Sequence, residues 1–171
     1  MKFIFANATT ADAGALAELH RFVSVRLTLE YGHGFWSASP SERAIVSDMR
    51  KPKFSRTMTV RLNGRGIVGV LRLATKKPWA IDISCFTPAP RPLYLTGMAV
   101  HPDLQRQGVG RLLMKEAEAA ARAWPADAIR LDAFDAPAGA GPFYAKCGYR
   151  EVAHVVYKND PLVYYELKLV A

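Results

Sequence analysis

The feature that most constrains this chain is a glycine-containing turn, Gln105-Arg106-Gln107-Gly108-Val109-Gly110, set between two elements of different period. Leu93–Val100 before it reads as a strand, and the amphipathic Arg111–Trp124 after it as a helix with Leu113, Ala117, Ala120 and Trp124 on one face. Ile129–Phe134 then returns as a strand. Strand, tight turn, helix and strand can close only as a right-handed crossover between parallel strands, so the chain must contain an α/β layer. Glycines let the unpaired amides of a helix's first turn approach a ligand closely, which suits a phosphate. Arg106 and Arg111 bracket the turn. It lacks the terminal Gly-Lys-Ser/Thr of a P-loop and the third spaced glycine of a dinucleotide fingerprint. The same glycines could equally form a simple turn and helix cap.

The flanking sequence fills in a mixed α/β fold. Lys2–Ala8 reads as an opening strand, after which Thr10 caps a helix with Leu16, Leu19, Val23 and Leu27 on its core face. A second helix is expected from Ser39, with Pro40 in its first turn and Glu42 completing a capping box. Between them lies a glycine-broken aromatic loop, Tyr31-Gly32-His33-Gly34-Phe35-Trp36, which could line a cleft or pin itself to the core. Met58, Val60 and Leu62, then Asn63-Gly64, then Ile67–Leu73 predict an antiparallel hairpin. Lys76–Pro92 is proline-rich and irregular. A short helix near Phe143–Cys147 ends at Gly148, and Tyr149–Lys158 and Leu162–Val170 are expected as strands joined at Asn159-Asp160-Pro161.

Half of the 171 residues are apolar, enough for one sizeable core and one domain spanning 1–171. The net charge of +8 is dispersed, which favours a local anion site over a nucleic-acid or membrane surface. Cys85 and Cys147 match no metal or disulfide spacing, no apolar run reaches the ~20 residues of a membrane span, and the N-terminal residues lack a signal-peptide core. The expectation is a cytoplasmic protein with no metal, no nucleic-acid partner and no membrane partner.

The Gln-x-x-Gly-x-Gly turn after Leu93–Val100, followed by Phe143-Tyr144-x-x-x-Gly148-Tyr149, closely resembles the GNAT superfamily of N-acetyltransferases, and the order of elements matches along nearly the whole chain. The resemblance implies the GNAT acyl-CoA acyltransferase fold, a central mixed sheet flanked by helices, with acetyl-CoA as donor. It assigns the pyrophosphate to the turn formed by Gln105, Arg106, Gln107, Gly108, Val109, Gly110 and Arg111, and the pantetheine arm to the backbone of Met98 and Val100 at a bulged strand that Gly97 relaxes. Many relatives carry Asn seven residues before the distal tyrosine, where this chain has Pro137.

The implied reaction is direct attack of an amine on the thioester, with Tyr144 as proton donor to the leaving sulfur. A lysine-like ammonium has a pKa near ~10.4, so a proton must leave it first. Where some relatives place a carboxylate, this chain has Thr96-Gly97. Asp82 is the candidate base, with Asp132, Glu30, His33 or a water relay as alternatives. A small-molecule amine is the expected acceptor. A protein or peptide acceptor and a non-catalytic acetyl-CoA sensor are the alternatives, and the family also admits a homodimer.

Overall fold

A computed structural model describes residues 2–169. Seven strands hydrogen-bond in the order β1-β2-β3-β4-β5-β7-β6, where β1 is Phe3–Asn7, β2 Ser55–Leu62, β3 Gly66–Ala74, β4 Pro92–Val100, β5 Ala128–Phe134, β6 Arg150–Tyr157 and β7 Asp160–Lys168. The helices are α1 (Ala13–Tyr31), α2 (Glu42–Met49), α3 (Val109–Ala123) and α4 (Gly141–Lys146). This is the expected mixed α/β sheet with helices. The chain divides into two compact units, Met1–Leu73 with Thr96–Ala117, and Ala74–Leu95 with Glu118–Ala171.

In the first unit, β1 and β2 pair antiparallel from Phe3 with Leu62 to Asn7 with Met58. Leu16 and Leu19 of α1 pack with Ile45, Val70 and Ala99, while Val60, Leu62 and Val68 pack with Leu104 and Val109. Burying each such side chain contributes roughly 1.5–3 kcal/mol. The second cluster matters for function, since it anchors both ends of the glycine turn. Gly69 is required by space: a Cβ there would lie 2.6 Å from Val60 Cγ1.

Helix starts differ from expectation for local reasons. Asp12 accepts from the Thr9 amide at 2.9 Å, closing a 3-10 turn over Thr10–Asp12 before α1 begins at Ala13. The N-cap of α2 is Ser41 rather than Ser39, because the Ser41 hydroxyl accepts from the Ala44 amide at 3.2 Å. On α3 the buried stripe is Val109, Leu113, Met114, Ala117 and Ala121, rotated from the predicted one, and Trp124 is half-buried.

In the second unit, Pro92–Tyr94 of β4 pair parallel with Ala128–Arg130 of β5, as the crossover requires. β5 and β6 both pair antiparallel with β7. The turn between β6 and β7 is Lys158-Asn159, not Asn159-Asp160-Pro161. Both residues have positive φ, 49° and 71°, which matches the right-handed twist of a two-residue hairpin. Ile81, Phe86, Tyr94 and Tyr164 form the core of this unit.

The buried Arg130 donates to Glu166 at 2.9 Å, and Thr87 donates to the other Glu166 oxygen at 2.6 Å. Arg130 also donates to the Thr87 carbonyl and lies 4.8 Å over the Phe86 ring. A buried pair of this kind is tolerable only because its remaining polar atoms are satisfied.

Candidate active site

The glycine turn sits at the start of α3 in the first unit. The backbone leaves β4 through His101, whose amide donates to the Val68 carbonyl at 2.8 Å, and passes a 3-10 turn over Pro102–Leu104. Leu104 and Val109 are buried, holding the turn from both sides. Between them Arg106 and Gly108 have φ of 61° and 85°, while Gln107 does not have positive φ. Such alternation turns successive N–H groups toward one side and forms an anion-binding concavity.

The hydrogen-bond pattern agrees with that geometry. Among the described residues, the amides of Arg106, Gln107, Gly108, Val109 and Gly110 reach no backbone carbonyl, whereas Leu112 donates to Gly108 at 3.0 Å. The side chains of the two glutamines are engaged elsewhere. Gln105 Nε2 donates to the Val100 carbonyl at 3.1 Å and Gln107 Nε2 to the Asp103 carbonyl at 2.8 Å, which stiffens the loop and leaves its backbone facing outward. A Cβ on Gly108 would meet nothing within 4 Å, so that face is open. The chemistry on offer is a set of neutral donors at a helix start, with Arg106 and Arg111 exposed nearby. Met98 and Val100 follow Gly97, whose φ of 59° breaks the regular run of β4.

Beside the same strand, in the same unit, lies a cavity of about 290 Å³ that includes His20, Asp48, Arg72, Thr96 and Gly97 in its walls. Arg72 Nε donates to Thr96 Oγ1 at 3.2 Å, and its other end faces Asp48 at 3.4 Å. His20 approaches Gly97: its Cε1 would stand 3.8 Å from a Cβ on that glycine. Burial holds the His20 imidazole below its ordinary pKa of 6.5, so it is neutral at pH 7. Sequence reading passed over His20. The available signal was a single imidazole four residues after Leu16, on the helix face that carries the apolar stripe.

The second unit holds Tyr144 and Asp82. The short α4 ends in a Schellman motif, in which Gly148 (φ 89°) donates to Ala145 at 3.0 Å and Tyr149 to Tyr144 at 3.2 Å. That is the physical meaning of the Phe-Tyr-x-x-x-Gly-Tyr spacing. Tyr144 is buried against Phe143, Tyr149 and Tyr165, with ring centroids 5.3, 6.2 and 6.1 Å away. Burial, then the charge of Asp132, then Cys147, raise the pKa of its hydroxyl, which therefore keeps its proton. Asp132 is itself raised by burial.

Asp82 is exposed, and its Oδ1 accepts from Ser84 Oγ at 2.7 Å and from the Ser84 amide at 2.9 Å. These bonds hold its carboxyl below the usual range, and its side chain caps the turn over Ile83–Cys85. Tyr164 donates to the Ala80 carbonyl and accepts from the Asp82 amide, fixing the irregular segment. Both Tyr164 and Tyr165 are buried. In the aromatic loop, Trp36 folds back on Gly34 and donates to the Gly32 carbonyl at 2.9 Å, both contacts inside the loop, while Phe35 is 57% exposed.

The sequence model of the Acetyltransferase (GNAT) family matches residues 24–149. The chain belongs to that family. The GNAT fold is also shared with solved structures at low identity. The yncA protein of Salmonella typhimurium, solved with its cofactor acetyl-CoA, is 16% identical with a TM-score of 0.74, covering 100% of this chain and 96% of that one. The ribosomal-protein-S18-alanine N-acetyltransferase of Escherichia coli is 16% identical with a TM-score of 0.71, over 99% of this chain and 96% of that one. An aminoglycoside 6'-acetyltransferase of type Ii is 16% identical with a TM-score of 0.69, over 98% of both chains. No curated protein matches the chain significantly. Among the described residues of this GNAT protein, no cluster of three or more His, Cys, Asp or Glu could hold a metal, and no helix is long and apolar enough to cross a membrane.

Proposed function

We propose that this GNAT protein is an N-acetyltransferase that moves an acetyl group from acetyl-CoA directly to a primary amine of a small molecule. The family match takes residues from both units, which supports reading 1–171 as one acetyltransferase domain. The donor set of the turn fits a coenzyme pyrophosphate: five amides without backbone partners, a left-handed Gly108 and an open Cβ position. Gln105, Arg106, Gln107, Gly108, Val109, Gly110 and Arg111 would hold the phosphates, and Met98 and Val100 the pantetheine arm. Acetyl-CoA supplies a thioester whose carbonyl carbon accepts the amine and whose sulfur leaves.

The chain's own residues must orient the amine and supply a proton to the leaving sulfur. We assign the second task to Tyr144, whose raised pKa keeps its hydroxyl protonated as a donor. Cys85 and Cys147, neither of them in a disulfide, fit a reducing compartment such as the cytoplasm.

The observation that carries the small acceptor is the cavity beside Thr96 and Gly97. At about 290 Å³ it lies near the lower end of the ~300–1,000 Å³ range of small-molecule sites. Proteins of this fold act on both kinds of acceptor, an aminoglycoside in one neighbour and a protein alanine in another, so the fold itself does not choose. Initial rates of thiol release from acetyl-CoA, compared across small primary amines and short peptides, test the proposal. A small amine should give a kcat/KM at least about tenfold above any peptide; the reverse order would make this a protein-modifying enzyme.

A further inference from the structure

We infer that His20 is the group that takes the proton from the acceptor ammonium, with the amine seated in the cavity beside Gly97. This inference rests on the acetyltransferase reading above and names a base for it.

Three observations in the first unit support it. His20 and Gly97 both line the cavity, and His20 Cε1 would stand 3.8 Å from a Cβ on Gly97, the residue next in the chain to the Met98 assigned to the pantetheine arm. Among the described residues the imidazole makes no hydrogen bond or ion pair. Its nitrogens are also not among the fully buried atoms that lack partners, so they retain some exposed surface. The ring is in addition neutral at pH 7, which a base must be.

The other polar groups around the cavity suit the base role less well. Arg72 of β3 is a cation tied to Asp48 of α2 and to Thr96 of β4. Asp48 is paired with that cation, and Thr57 of β2 and Thr96 are hydroxyls with no basicity. Among these groups, His20 alone combines an unshared lone pair with the neutral state. The charged groups facing the cavity are Arg72 and Asp48, which pair with each other at 3.4 Å, and burial is what lowers the imidazole.

The proton balance closes. The ammonium gives one proton to an imidazole nitrogen, and the freed lone pair forms the C–N bond as the C–S bond breaks. The leaving sulfur takes a proton from Tyr144, the adduct nitrogen loses one to solvent, and Tyr144 takes one back from solvent, giving amide and thiol. The imidazolium then releases its proton to solvent.

The test combines pH titration with substitution. In the protein without coenzyme, the His20 ring signals followed by NMR should titrate below pH 6.5 and should shift when benzylammonium is added. For an amine that the wild type acetylates, chosen from benzylamine, phenethylamine and 1,4-diaminobutane, kcat/KM should fall on acidification with the pKa that NMR gives for His20. The His20→Gln variant should lose that inflection and about 10²- to 10⁴-fold in kcat while binding coenzyme A normally. Added imidazole should restore part of the rate to His20→Ala. A wild-type inflection away from the His20 titration, or a variant with unchanged rate and profile, overturns the role of His20 and leaves the acetyltransferase reading standing. If a folded wild type transfers acetyl to no amine, both fall.

Discussion

The side-chain amide of Gln105 donates to the main-chain carbonyl of Val100 across 3.1 Å, tying the first residue of the glycine turn to the last residue of β4. The strand that would hold the pantetheine arm and the turn that would hold the pyrophosphate are therefore fixed to each other within one unit. Preorganised amides avoid the ordering cost that a mobile loop would carry on binding.

Replacing Gly108 should damage that arrangement through the backbone. At φ 85° a valine is strained by roughly 1–2 kcal/mol, although its Cβ would meet no protein atom. Relief of the strain would turn the amides away. Gly108→Val should lose most of the rise in melting temperature that acetyl-CoA gives the wild type, a mass-action effect read by differential scanning. A full ligand-induced shift in the folded variant would contradict the placement of the cradle.

Removing the Tyr144 hydroxyl should slow transfer and spare donor affinity. Tyr144→Phe keeps the ring contacts to Phe143, Tyr149 and Tyr165, so the fold should hold. Rapid-quench measurement of acetyl transfer should show a loss on the order of 10²-fold. An unchanged transfer step would return Tyr144 to a packing role.

Asp82→Asn should leave the pH–rate profile unchanged. An asparagine oxygen can still accept from Ser84, and a carboxylate already below its usual range offers little basicity. A shifted profile in the variant would restore Asp82 as the base.

How far the sequence reveals this molecule depends on the range of the interactions. The glycine turn and the helix end at Gly148 were legible because each is set by neighbours a few residues apart, and the parallel β4–β5 pair because a strand–helix–strand crossover closes that way. The rotated stripe of α3 was not, since the burial of Met114 and Ala121 is set by tertiary packing rather than by the helix's own period. Asp82 and His20 show the same limit from opposite sides. Asp82 was named from its residue type and segment, and the structure shows it capping the turn at Ser84; His20 was passed over, and the structure places it with Gly97 and Arg72 in the walls of one cavity.

Glu166 should matter for stability. Its carboxylate is buried and takes bonds from Arg130 and Thr87, so Glu166→Ala leaves a buried guanidinium unpaired. The expected loss is about 3–5 kcal/mol, read from denaturant unfolding. A change under 1 kcal/mol would mean that Arg130 finds water or another acceptor.

Acidification should destabilise the fold through His20. Its folded pKa lies below the ordinary 6.5, so the unfolded chain binds the proton first. The stabilisation is fully present above pH 6.5 and is lost as pH falls from there toward the folded value. His20→Gln should flatten that part of the stability curve; an equally steep curve would assign it to other groups.

The most direct test of the central claim is calorimetric titration of the wild-type protein with a nonhydrolysable acetyl-CoA analogue, with adenosine diphosphate as control. The account predicts saturable binding of one analogue per chain and weaker binding of the nucleotide. A verified folded sample that binds neither would contradict it and leave the turn at Gln105–Gly110 as a helix start without a ligand.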